Sequence, residues 1–78
     1  MATRVTLYTR PGCHLCEPAR DIVQEVCAQF GQEWVEFDVD SDPGLQAKYG
    51  EEIPVVTVDD QTVGFWRINA DVLRAALS

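Results

Sequence analysis

Cys13 and Cys16 are the residues in this chain best suited by type and spacing to do chemistry. They stand in TLYTRPGCHLCEPAR, residues 6–20, where an alternating apolar run meets Pro-Gly and then a helical pattern. A cysteine in the first turn of a helix meets backbone N–H groups that have no helical partner, together with the positive end of the helix dipole. Both favour thiolate over thiol, and the thiolate is the nucleophile. Placing Cys13 in that first turn puts Cys16 three residues on, on the same face, deeper but within disulfide reach. One thiolate can then attack a substrate disulfide and the second can resolve the mixed disulfide. Cys13 reads as the nucleophile and Cys16 as the resolving thiol. His14, between them, would stabilise a neighbouring thiolate if protonated; alternatively it simply faces solvent. A structural zinc site needs four ligands. The further candidates are His14, badly placed to chelate from the same turn, and Cys27, which falls in an apolar stripe and reads as a small buried hydrophobe. No metal site is assigned.

The surrounding pattern says what must position this pair. From Thr3 to Thr9, Val5 and Leu7 alternate with Thr6 and Tyr8, as in a strand. From Leu15 onward the apolar residues Leu15, Ala19, Ile22, Val23, Val26, Cys27 and Phe30 recur at three- and four-residue steps, as on an amphipathic helix, and Gly31 can end it in the left-handed conformation. Pro18 is awkward in a helix that begins near Cys13, which must either bend there or become regular later. Val35, Phe37 and Val39 alternate with acidic residues in a second strand. Asp42-Pro43 starts a short helix that Gly50 closes. A third strand runs from Pro54 to Val58, a turn follows at Asp59-Asp60-Gln61, and a fourth strand covers Thr62 to Phe65. Asn69 caps a last helix whose apolar face is Val72, Leu73, Ala76 and Leu77, with Ile68 and Leu73 spaced as a hydrophobic staple. The order is βαβαββα. Strands joined by a helix should be parallel with a right-handed crossover, and the last two strands antiparallel. The result is an α/β mixed four-stranded sheet flanked by helices.

The totals narrow the function classes. Seventy-eight residues make one small domain, 1–78, and 46% hydrophobic content argues against disorder. Thirteen acidic residues against 6 basic ones give a net charge of −7, which argues against a nucleic-acid partner. No apolar run approaches the ~20 residues of a membrane span. MATRVTLYTR lacks the apolar core of a signal peptide, so the expected location is cytoplasmic, where a CxxC is redox-active or metal-binding rather than a structural disulfide. A monomer is expected. The acidic run Asp38, Asp40, Asp42 reads as a solvated loop. Of Phe65 and Trp66, one is expected in the core and the other over the last helix; the alternative makes Trp66 an exposed anchor beside the cysteines.

Tyr8-Thr9-Arg10 followed by Cys13-His-Leu-Cys16 resembles the strand-to-active-site segment of glutaredoxins and related thioredoxin-fold redoxins. The resemblance continues at Ile53-Pro54-Val55-Val56 and through Asp59-Asp60-Gln61 to Gly64, nearly the whole chain. It implies a thioredoxin-like fold and a thiol–disulfide oxidoreductase that acts in cell redox homeostasis and electron transfer. It also implies a cis bond before Pro54, which lies beside the CxxC, so that the Ile53 backbone can pair with an extended substrate. Arg10 keeps a basic residue near the site for a carboxylate, and Gly64 matches the first glycine of the family's Gly-Gly pair. Phe65 replaces the second glycine, and Arg67 and Ile68 stand where an acidic residue is expected. The glutathione site is thus only partly matched, and glutathione is a possible co-substrate rather than a bound cofactor. The Gly64-Phe65 pair is similar to that of small redoxins reduced by thioredoxin reductase, and the CHLC filling to that of short glutaredoxin-like proteins. The partners implied are a disulfide-containing protein or glutathione, with thioredoxin reductase as a candidate donor. Two other readings are a non-catalytic binding module using the groove near Pro54 and Trp66, and a metal or iron–sulfur carrier using the CxxC.

Overall fold

The computed structural model describes residues 4–78. The expected first strand is β1, Val5–Thr9; its Thr3 end lies outside the described residues. Then follow α1 (Cys16–Phe30), β2 (Trp34–Asp38), a single 3-10 turn (Val39–Ser41), α2 (Pro43–Tyr49), β3 (Val55–Val58), β4 (Gln61–Phe65) and α3 (Ala70–Leu77). The sheet order is β2-β1-β3-β4. β1 pairs parallel with β2, Val5 opposite Trp34, while β3 runs antiparallel to both β1 and β4.

The direction of β3 corrects the rule that helix-joined strands are parallel. The 7 residues of α2 span about 10 Å. A five-residue strand is about 17 Å long. So short a helix does not return the chain to the far end of the sheet, and β3 enters from the end where β2 leaves.

Two apolar layers cover the sheet. On one face Val5, Leu7, Val56 and Val58 meet Ala19, Val23, Val26 and Cys27 of α1 and Leu73 and Leu77 of α3. Cys27 is thus a core residue, as expected. On the other face Val39, Tyr49 and Val55 pack with Tyr8, Leu45 and Ile53, and Tyr8 stacks on Tyr49 with ring centroids 4.4 Å apart. All four residues of β3 are buried, as suits a central strand covered on both faces.

Helix ends follow local chemistry. Gly31 ends α1 at φ 64°, ψ 28°. Asp42 Oδ1 accepts from the Gly44 N–H at 2.8 Å, with Pro43 in the first turn. Asn69 Oδ1 accepts from Asp71 and Val72 N–H at 2.8 and 3.4 Å. Ile68 packs against the cluster that contains Leu73, the partner its staple spacing assigns.

Several expectations are corrected. Val39 leaves β2 and forms the 3-10 turn, because Asp38 Oδ1 captures the Asp40 N–H at 2.8 Å. The acidic run is solvated as expected, with Asp40 and Asp42 exposed, but it is an ordered turn rather than a loop: Asp38 caps, Asp40 pairs with Arg10, and Asp42 caps α2. Leu15, Phe30 and Val72 are exposed, since each lies at the edge or end of its helical stripe. Phe65 and Trp66 are both exposed, at 48% and 54%, and neither enters the core.

Candidate active site

The end of β1 delivers the chain into a tight turn. Pro11 and Gly12 occupy its centre, Gly12 at φ 78°, and the Cys13 N–H closes it on the Arg10 carbonyl at 3.2 Å. Proline followed by a positive-φ glycine is the residue pair such a turn demands. The Cys16 N–H then donates to the Cys13 carbonyl at 3.3 Å. Helix α1 begins at Cys16, after Leu15 as its cap, so Cys13 precedes the helix instead of occupying its first turn. The first helical bond runs from the Ala19 N–H to the Leu15 carbonyl. Pro18 therefore sits within the first turn, where its missing N–H has no helical acceptor to lose, and this is why the helix starts later than Cys13.

The two thiols differ in environment. Cys13 is partly exposed and Cys16 is 2% exposed, and both are free. Burial pushes the Cys16 thiol up to about 11, and the neighbouring Cys13 side chain adds to this; the Arg10 backbone and the Arg20 charge pull the other way. Cys13 and Cys16 open into one cleft with Arg10, Pro11, Gly12, His14, Glu17 and Arg20. Arg10, Cys13, His14 and Cys16 are thus brought together, with His14 exposed. The Arg10 guanidinium meets Asp40 of the same chain at 3.0 Å.

Ile53, Pro54 and Gly64 do not line that cleft. The β1–β3 register pairs Tyr8 with Val55, so Pro54 falls next along β3 toward the sheet end where Thr9 leads into the Cys13 turn. The Ile53–Pro54 bond is cis, as the resemblance implied. Pro54 is buried, and Ile53 packs on the Tyr8–Tyr49 face. The Ile53 N–H and C=O take part in no backbone hydrogen bond among the described residues. Gly64 pairs with Val56, and a methyl group at Gly64 would come 3.3 Å from the Ile68 side chain.

Two features escaped the sequence reading. Arg20, one helical turn beyond Cys16, is gripped by Glu36 through two bonds of 2.7 and 2.8 Å, and Glu36 also accepts from Thr9 Oγ1 at 2.9 Å. The Arg20 guanidinium holds the Glu36 carboxyl below the usual range, against burial and with help from Thr9. The i, i+4 step from Cys16 to Arg20 was a signal that could have found the first half of this. The second is the anchoring of Trp66, whose exposure the alternative reading anticipated but whose partners it did not. Its N–H donates to the carbonyls of Pro54 and Glu52 at 2.9 and 3.1 Å, and its indole Nε1–H to that of Glu51 at 3.0 Å. Nothing in the sequence marks Trp66 for the positive φ of 59° that aims these groups.

Among the described residues no three or more His, Cys, Asp or Glu side chains converge so as to hold a metal ion, and no helix is long and apolar enough to cross a membrane.

The fold is thioredoxin-like. Residues 4–78 match the model of the glutaredoxin-like domain (DUF836). The chain is 31% identical over 80 residues to the uncharacterized protein Rv0508 of Mycobacterium tuberculosis, covering 96% of this chain and 82% of that protein. The solution structure of protein Ne2328 from Nitrosomonas europaea superposes with a TM-score of 0.82 at 27% identity, covering 100% of this chain and 95% of that one. The solution structure of glutaredoxin from Brucella melitensis is similar at a TM-score of 0.59 and 31% identity, over 94% of this chain and 76% of that one. With a family match running from the first described residue to the last, this chain belongs to the glutaredoxin-like (DUF836) family.

Proposed function

We propose that the protein is a thiol–disulfide oxidoreductase with a dithiol mechanism. The observation that carries this reading is the contrast within one turn: a partly exposed Cys13 backed by a buried Cys16, the two opening into one cleft. A redox-type role fits the family; the dithiol chemistry is our reading.

The Cys13 thiolate attacks one sulfur of a substrate disulfide. A Cys13–substrate S–S bond forms, the substrate S–S bond breaks, and the leaving thiolate takes a proton from solvent. Cys16 then loses its proton and attacks the Cys13 sulfur. The Cys13–Cys16 disulfide forms and the second substrate thiol leaves, so two electrons pass from protein to substrate. While Cys13 is free, its side chain adds to the burial that keeps the Cys16 thiol protonated. Once Cys13 is in a mixed disulfide, that contribution is gone, and burial is the main opposition left to Cys16 ionisation. The second thiol is thereby released for attack when there is something to resolve. Reduction of the Cys13–Cys16 disulfide takes two electrons from a thiol donor, either glutathione or a reductase. Ile53, whose backbone groups have no backbone partner among the described residues, would align an extended substrate.

The test is a redox titration in glutathione buffers of graded potential, with acid quench, alkylation and intact mass. Cys13 and Cys16 are expected to pass together between dithiol and disulfide, with a midpoint between about −270 and −120 mV. Cys13→Ser should abolish disulfide reduction, and Cys16→Ser should accumulate a mixed disulfide. A pair that never changes state across the range overturns the proposal.

A further inference from the structure

Trp66 stands at φ 59°, a backbone conformation that bulky residues rarely take. Such conformations persist only where the surroundings impose them, and they gather at functional sites. Here the imposing contacts are the three hydrogen bonds from Trp66 to the carbonyls of Glu51, Glu52 and Pro54. They tie down the polar edge of the indole and its backbone, yet leave the ring more than half exposed. Phe65 braces it edge-on at 5.3 Å. The ring forms one wall of an apolar groove with Leu15, Pro18, Ile22 and Ile68. Leu15 directly precedes Cys16, so the groove begins one residue from the cysteine pair.

The charge around this groove is unusual for the molecule. Arg4, Arg10, Arg20 and Arg74 each pair with a carboxylate of the chain, at 2.9, 3.0, 2.7 and 2.7 Å. Arg67 lines the groove beside Trp66, is exposed, and has no carboxylate partner among the described residues. Acidic side chains outnumber basic ones 13 to 6. In such a chain an arginine without a counter-charge, held at the mouth of an apolar groove, is complementary to a carboxylate from outside.

We propose that the groove docks a segment of a protein substrate in which a large apolar side chain stands next to Asp or Glu. The apolar side chain lies between Leu15 and Trp66, the carboxylate meets Arg67, and the segment's disulfide is thereby presented to Cys13. This rests on the thiol–disulfide reading above and names the substrate class for it. A ring already fixed in place loses little freedom on binding, which is the advantage of pre-organisation. Trp and Arg together are the residue types that dominate interface energetics.

Two peptides test it, alike in a central Trp-Leu pair and differing only in flanking Glu or Lys. Each is made without cysteine, for binding, and with a mixed disulfide, for reduction. Titrated at low salt into isotope-labelled protein, both should shift the resonances of Leu15, Ile22 and the Trp66 indole. The Glu peptide should bind about 1.5-fold to fivefold more tightly, the range expected for one exposed charge pair. The ratio should move toward one at high salt. Arg67→Lys should keep the preference and Arg67→Glu should reverse it. The kcat/KM ratio for the two disulfide peptides should follow the binding ratio. Equal affinities, a preference unchanged in Arg67→Glu, or shifts confined to the Cys13 turn would overturn the proposal. So would self-association lost in Arg67→Glu, which would give the groove to a second copy of the chain. Reduction without discrimination ends the docking proposal and leaves the redox one. Arg67-dependent binding without reduction does the reverse.

Discussion

At Cys16 a buried thiol is held neutral by its surroundings, and this has a consequence for stability. Burial, reinforced by the neighbouring Cys13 side chain, raises the thiol to about 11, against about 8.5 in an unfolded chain. The folded state therefore binds the Cys16 proton more tightly than the unfolded state. Its stabilising effect is complete below about pH 8.5 and is lost as pH rises through 11. Burial raises the Cys27 thiol as well, in the same direction. We expect the urea midpoint of the reduced protein to fall over this window. In Cys16→Ala the fall should be smaller, the difference being on the order of 3 kcal/mol. Identical pH profiles for the two proteins would contradict the environment assigned to Cys16. Kinetically, resolution of a trapped mixed disulfide should accelerate with pH, because attack requires the Cys16 thiolate.

Elements position the cysteines through their ends more than through their middles. The Pro11-Gly12 turn sets Cys13, and the late start of α1 places Cys16 at the first helical residue. That start is compatible with Pro18, whose lack of an N–H costs nothing in a first turn. The last helix is held by the same kind of chemistry. Asn69 supplies the oxygen for two N–H groups of α3, and α3 brings Leu73 and Leu77 onto the sheet. Replacing Asn69 with Ala should cost about 1 kcal/mol. In a chain of this size that lowers Tm by about 4–8 °C, measured by calorimetry. A Tm within a degree of the parent would show that packing alone sets the start of α3.

For the whole molecule, the margin is small. A chain of 78 residues has on the order of 4–12 kcal/mol of total stability at typical per-residue values. Leu7 is fully buried between β1's neighbours and the two helices of its face. Leu7→Ala should cost about 2–5 kcal/mol and lower Tm by more than about 10 °C. A loss below about 1 kcal/mol would mean that the layer over α1 and α3 is not the principal core. Nor is the acidic charge spread without use: Asp40, Glu36, Asp59 and Asp71 neutralise four of the arginines, and the one without a carboxylate partner among the described residues stands at the groove.

The sequence by itself determined what depends on neighbours along the chain. The CxxC after a strand, the Gly31, Asp42 and Asn69 helix ends, the alternation in β1 and the valine-rich run of β3 are all contests among residues a few positions apart, and local chemistry settles them. The order βαβαββα follows, and with the Ile53-Pro54 segment it identifies the fold. What only the tertiary structure decided involves partners far apart in sequence. The direction of β3 depended on how far α2 can carry the chain. Whether Val35, Phe37, Phe65 and Trp66 are buried depended on which elements cover each sheet edge, and β2 and β4 are edges. Arg20 found Glu36 across 16 residues, and the Trp66 indole found Glu51 across 15. Neither pairing has a sequence period to betray it. The groove beside the cysteines exists because of such long-range closures, so its residues could be read from the chain but not its shape.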